Sequence, residues 1–204
     1  MALALENYKE ERGFVPTLPT VDGVPELTWF AENGQGAAAF EEDKLVGFIC
    51  ACPPWDGAFG TAARGIFVPA HAHGAVRENR AYIYRRMYQA AAERWTAQGA
   101  TMHAVALYAH DEQAREAFFS YGFGLRCVDA IRGLLPVEGA NSEGLNMREI
   151  GKGEVGRFDK LRRALSEHLG ESPCFMYSSE EELQAWLKRA HERDSRLFAA
   201  ERGG

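Results

Sequence analysis

The sequence predicts a mixed α/β protein of the α+β kind, and three observations carry that reading. Two short apolar runs flank a polar turn at 42–44, a strongly periodic helix occupies 79–98, and further short apolar runs alternate with helical segments. Taken in order, residues 2–12 read as a short helix that stops at Gly13, and Pro16 and Pro19 mark extended chain behind it. PELTWFAENG reads as a second helix, with Pro25 in its first turn and Gly34 closing it. GAAAFEEDKLVGFICA is a β-hairpin around Glu42-Asp43-Lys44. PPWDGAFGT is a loop, and 63–68 is an apolar strand rich in β-branched and aromatic residues.

Over 79–98, Ile83, Met87, Ala90, Ala91 and Trp95 recur at helical spacing while Arg85, Arg86 and Glu93 point elsewhere, and Gly99 ends the helix. Residues 102–108 read as a buried strand. Residues 111–121 read as an amphipathic helix with Asp111 as N-cap and Gly122 as its stop, followed by a strand over 125–131. The stretch GLLPVEGANSEG (133–144) has the composition of a linker. Behind it the pattern restarts: LNMREI as a strand, 154–169 and 179–193 as helices, 197–201 as a strand. ELTWFAENGQGAAAFEEDK and ELQAWLKRAHERDSRLFAAERGG rhyme as helix, polar turn, strand and polar turn, a short internal similarity. The expected organisation is a first domain over 1–132, a linker over 133–144, and the opening part of a second copy over 145–204. Ending at Gly203-Gly204 leaves the last strand without its hairpin partner, an edge natural proteins usually cover, so the second copy is expected to be truncated.

Composition sets the outer bounds. The 204 residues are 46% apolar and 25% charged, ordinary for a soluble domain with a real core. A formal charge of −6 argues against a nucleic-acid partner, which needs a basic surface, but allows a local basic pocket for a small anion. Cys50, Cys52, Cys127 and Cys174 form no CxxC pair and are expected to be reduced structural residues of a cytoplasmic protein. No apolar run approaches the roughly 20 residues of a membrane span, and MALALENYKEERG lacks the basic start and apolar core of a signal peptide.

Two segments carry a resemblance. VPAHAHGAV leading into the long helix resembles the cofactor-binding segment of the GNAT acyltransferases, in which a strand passes through a glycine-bearing loop to a helix N-terminus. DEQAREAFFSYGFGLRCVDAIR resembles that family's later motif, a polar-capped helix ending in an aromatic residue and Gly-Phe before a strand, and LNMREIGKGEV resembles its opening strand and helix. The likeness covers most of 24–204 and extends to tandem members of the superfamily. It implies a mostly antiparallel twisted sheet with flanking helices, acetyl-CoA as cosubstrate, no metal, and an N-acetyltransferase acting by direct attack of a primary amine in a ternary complex. A small-molecule or peptide amine is the implied acceptor. The unfinished second copy gives a reason to pair as a homodimer.

The chemistry of the first segment agrees with this. A helix start exposes backbone N–H groups that suit a pyrophosphate, small residues such as Gly74 and Ala75 let the backbone approach it, and Arg77 and Arg80 add charge. The implied cofactor-binding set is Phe67, Val68, His73, Gly74, Ala75, Val76, Arg77, Asn79, Arg80, Asp111 and Phe118. Strands 63–68 and 102–108 would splay to admit the pantetheine arm, with a backbone N–H near Val68 facing the thioester carbonyl. His71 or His73 would take the amine's proton. The sequence departs from the family at two points. His-Ala-His-Gly-Ala-Val-Arg-Glu-Asn has one glycine of the usual pair, and Phe118 stands where many members place a proton-donating tyrosine, leaving Tyr121 or Tyr108 as the acid. A catalytically silent CoA-binding or assembly module is the competing reading, and half of a larger two-domain enzyme is a third. His71-x-His73 lacks further ligands at metal-site spacing, and no Gly-x-Ser-x-Gly turn accompanies His110-Asp111.

Overall fold

The structure, a computed structural model, describes residues 1–33, 35–136, 144–171, 176, 178–192 and 196–202. Gly34, most of the expected linker, Cys174, Arg193 and the Gly203-Gly204 end therefore lie outside the described residues. The chain divides into two compact units, Met1–Gly133 and Leu134–Gly204. Each is a mixture of helices and small sheets.

In the first unit, α1 (Ala2–Phe14) runs through Gly13 and ends at Val15, so that glycine does not stop it. α2 (Thr28–Asn33) starts three residues after Pro25 rather than on it. The hairpin forms as expected, β1 (Gly36–Glu41) antiparallel to β2 (Lys44–Cys50), with Glu42 in the left-handed region at φ 51° to make the tight turn. β3 (Gly65–Val68) lies parallel to β5 (Met102–Val105), and between them in sequence come β4 (His73–Ala75) and the 18-residue α3 (Arg80–Ala97). α4 (Glu112–Phe119) follows, its N-cap Asp111 accepting from Ala114 N at 2.9 Å.

Two expectations fail here. The stretch around His73, Gly74 and Ala75 is a strand, not a loop: β4 pairs antiparallel with β2, His73 opposite Ile49 and Ala75 opposite Gly47. The strand expected over 125–131 does not form, and Leu125, Val128 and Ile131 are exposed. Alternating apolar residues favour a strand only where a neighbouring edge takes up their backbone groups, and β5 pairs with β3 alone among the described strands. The 102–108 strand is also shorter than expected, stopping at Val105, although Ala106 N still donates to Val68 O at 2.9 Å.

β3 and β4 together line one side of β2 and the residues that continue it. Cys50 N donates to Ala72 O and Cys52 N to Phe67 O, each at 2.8 Å. Two steps along that chain thus face five steps of the opposing one, and 69–71 bulge out. One face of the sheet packs on α3 and α4 through Ile49, Ile66, Val68, Ala75, Ile83, Tyr84, Met87, Trp95 and Phe118. Ala90 is exposed and Tyr84 takes the buried place on α3. The other face meets α1 through a smaller cluster of Leu3, Ala4 and Phe48.

The second unit pairs β6 (Leu145–Ile150) antiparallel with β7 (Leu197–Arg202), so the last strand does have a neighbour on one side. The helix expected over 154–169 begins as 3-10 turns (Lys152–Phe158) and becomes α5 only at Asp159–Gly170. α6 (Glu180–Glu192) opens on a capping box, Glu182 N to Ser179 Oγ and Ser179 N to the Glu182 carboxylate.

Candidate functional site

The turn between β4 and α3 concentrates the charged chemistry of the first unit. Val76 N donates to Val46 O and holds the end of β4 on the sheet. Asn79 then adopts φ 53°, a conformation that asparagine tolerates better than most residues, and turns the chain into α3. The Asn79 side chain does not cap this helix, Ala81 N donates to Gln113 Oε1 at 3.4 Å, and the first turn carries no acidic residue. Arg77 and Arg80 sit on the turn itself.

Neither arginine is free. Glu10 of α1 accepts from Arg77 Nε at 2.8 Å and from Arg80 Nη1 and Nη2 at 2.8 and 3.1 Å. Arg80, 4% exposed, also reaches Asp111 Oδ2 at 3.2 Å. His110 faces the same helix, with Nδ1 2.5 Å from Glu11 Oε2 and Nε2 3.4 Å from Glu10 Oε2. Burial pushes the Glu10 carboxyl upward, but the Arg80 and Arg77 guanidiniums outweigh it and hold its pKa at about 2. A cleft of about 430 Å³ opens beside this cluster, lined by Asn7, Lys9, Glu10, Val76, Arg77 and Arg80 among others. Asn7 is 2% exposed and neither of its amide atoms finds a partner.

β3 and β5 do not splay where the sequence reading placed the opening. They are paired from Gly65↔Met102 to Val68↔Val105. Beyond Val68 the chain bulges, and a side chain replaces the backbone ladder: His73 Nε2 lies 2.8 Å from Ala106 O and its Nδ1 2.8 Å from Tyr84 Oη. A carbonyl only accepts, so Nε2 carries the proton and Tyr84 O–H donates to Nδ1. Burial pushes His73 down and Tyr84 up, which keeps both neutral.

Of the residues singled out from sequence, Val76, Arg77, Asn79, Arg80 and Asp111 come together at the start of α3. Gly74 and Ala75 lie in β4; Ala75 lines the same cleft, and a Cβ at Gly74 would stand 3.3 Å from the Phe48 ring and 3.4 Å from the Leu3 backbone. Phe67 is half-buried against Phe59, and Val68 is buried in the β3–β5 ladder. Phe118 is 1% exposed and packs on Tyr84, Tyr88 and Phe123 in the core. His73 has both ring nitrogens engaged. His71 sits half-buried in the bulge with its ring edge-on to Phe30, and burial holds its pKa below the ordinary histidine value. Tyr121 lies elsewhere: it packs on Tyr88 and lines a separate cleft of about 930 Å³ along the middle of α3, with Arg86, Gln89 and Glu93. No cluster of three metal-ligating side chains occurs among the described residues.

No protein-family profile matches the sequence, and neither does any curated protein. Among solved structures, a point mutant of TTHA1254 from Thermus thermophilus is 22% identical, over 65% of this chain and 95% of that one, at a TM-score of 0.43. A "probable acetyltransferase" is 21% identical, over 68% and 92%, at 0.42. A "putative acetyltransferase" from Agrobacterium tumefaciens is 20% identical, over 63% and 90%, at 0.41. These likenesses are too loose to carry a function across.

Reading the sequence missed Glu10, Glu11 and Asn7. Their signal is faint but present: Leu3, Asn7, Glu10 and Glu11 recur on one face of α1, polar residues where a packed helix normally shows apolar ones.

Proposed function

We propose that the first unit is an acetyl-CoA-dependent N-acyltransferase acting on a primary amine by direct attack in a ternary complex. The observation that carries the proposal is the β4–turn–α3 junction, a helix start that the Asn79 side chain does not cap, with two arginines and an adjoining cleft. Its donors suit a pyrophosphate: Arg77 and Arg80 for charge, the α3 backbone for directed N–H groups, and the unpartnered Asn7 amide for a further hydrogen bond. The cosubstrate supplies the activated acyl group.

His71 is the base in this reading. Burial keeps its imidazole neutral near pH 7, so it can accept the proton that the amine loses on attack. His73 serves instead to fix the end of β5 against β4 through Ala106 O. Tyr108 follows β5 as the candidate acid for the departing thiolate. Burial pushes its phenol up to about 12, so it stays protonated throughout the working range. The second unit stands in this reading as part of a further copy of the same fold. The protein is proposed to act in the cytoplasm.

A second reading has its own support. The buried Phe118 and the Glu10 carboxylate lodged in the arginine pair both fit a CoA-binding or assembly module without turnover. Calorimetric titration of acetyl-CoA into the wild type and Arg77→Glu, beside a thiol-release assay with a panel of primary amines, separates the two. Saturable binding weakened about tenfold in the variant, with thiol release, supports the enzyme; binding without release supports the silent module. A folded wild type that binds no acetyl-CoA removes both.

A further inference from the structure

The arginine pair at the start of α3 already holds an anion, and that anion belongs to the protein. Glu10 presents one carboxylate oxygen to Arg77 and both to Arg80, the contacts a phosphate group would take. Leu3, Ala4, Tyr8 and Phe14 seat the helix that carries Glu10, and the turn before Glu10 buries Asn7 with its amide unmet. An unmet buried amide is a standing cost that a ligand in the adjoining cleft can remove.

Resting on the reading that an anion binds at this turn, we propose that the Glu10 side chain is a displaceable latch. Glu10 is an internal substitute for a phosphate-bearing ligand, which must expel it to bind. The surrounding pairs are arranged so that Glu10 can leave without stranding a buried charge. Arg80 keeps Asp111 at 3.2 Å, His110 keeps Glu11 at 2.5 Å, and Arg77 is exposed to water. Asp111 has no such freedom, because it also caps α4. The tethered carboxylate competes with every incoming phosphate, so it sets the affinity of the site.

The test uses the full chain and inorganic pyrophosphate as probe. In calorimetric titrations, Glu10→Gln is expected to bind pyrophosphate about tenfold more tightly than the wild type, and Glu10→Gln with Arg77→Ala to lose that gain. Equal or weaker binding by a folded Glu10→Gln protein overturns the latch. If that variant does not fold, Glu10→Asp decides, and pyrophosphate binding no tighter than in the wild type overturns it. Tighter pyrophosphate binding in Glu10→Gln without any acetyl-CoA binding keeps the latch and removes the acyltransferase reading. Acetyl-CoA binding equally strong in both proteins, with pyrophosphate binding in neither, does the reverse.

Discussion

The two units use arginine–carboxylate pairs in opposite settings. In the first, Arg80, Glu10 and Asp111 are shielded beside a core that fully buries Trp95, Tyr84, Ile49 and Ile66. In the second, Arg148 bridges Glu154 and Glu201, Arg163 bridges Asp159 and Glu180, and Arg196 meets Glu149, all open to water. That unit buries Val155 and Ala199 among its described apolar residues, while Leu161, Leu165, Trp186 and Phe198 are exposed. Charges withdrawn from water cost desolvation and lock geometry, whereas exposed pairs are screened and loosely held. The first unit therefore draws its stability from packing and uses its ion cluster to fix positions, while the second lays many weak pairs over little core.

The comparison breaks most directly at the tryptophans. Trp95→Ala is expected to cost about 4 kcal/mol by leaving a cavity under α3, and Trp186→Ala less than about 1 kcal/mol, both read by chemical denaturation. Equal losses would mean that the second unit packs as tightly as the first. Next in size, Asp111→Ala removes the α4 cap and one partner of Arg80 together, with an expected loss of about 3 kcal/mol. The same assay reads it, and a loss typical of a surface site would show that the cluster is solvated.

Acid sharpens the contrast. Glu10 has its pKa lowered from 4.5 to about 2, so its stabilisation is fully present above about pH 4.5 and is lost as pH falls toward 2. That contribution is on the order of 2 kcal/mol, and Glu10→Gln should remove the corresponding slope from a stability–pH curve. Glu180 is also held at about 2, by Arg163 first and Gln184 second, but it is exposed. In about 1 M salt, where screening acts over roughly 3 Å, the Glu180 slope should vanish and the Glu10 slope persist. The smallest effect is expected at Arg196→Ala, which breaks an exposed pair with Glu149 and should leave the thermal midpoint unmoved.

Much of this architecture is legible in local patterns. The 42–44 turn, the α3 periodicity, the Asp111 cap and the LNMREI strand all follow from chemistry within a few residues, and the structure forms each of them. Elements that depend on a distant partner were not legible. His73–Ala75 is a strand because Gly47–Ile49 lies beside it, and three residues containing a glycine carry no periodicity of their own. The 125–131 stretch has the right residues but no edge to join. At the site, Arg77, Asn79 and Arg80 were found because a helix start attracts anions, whereas Glu10 lies 70 residues from Arg80 and nothing local links them. Tyr121, two residues beyond α4, packs on Tyr88 and lines the middle of α3, a contact with a residue 33 positions away that no local pattern announces.

The bulge at 69–71 has one more effect, on parity. Ile66 and Val68 turn their side chains to the α3 side, so even-numbered positions face that layer in β3. After the bulge, Ala75 joins the same layer and His73 reaches Tyr84, while Gly74 backs onto Leu3. Odd numbers now face α3. The five steps from Phe67 to Ala72, set against two from Cys50 to Cys52, invert the alternation. Shortening that stretch by one residue would restore the phase, turn His73 toward α1, and place Gly74 where Tyr84 now finds its partner.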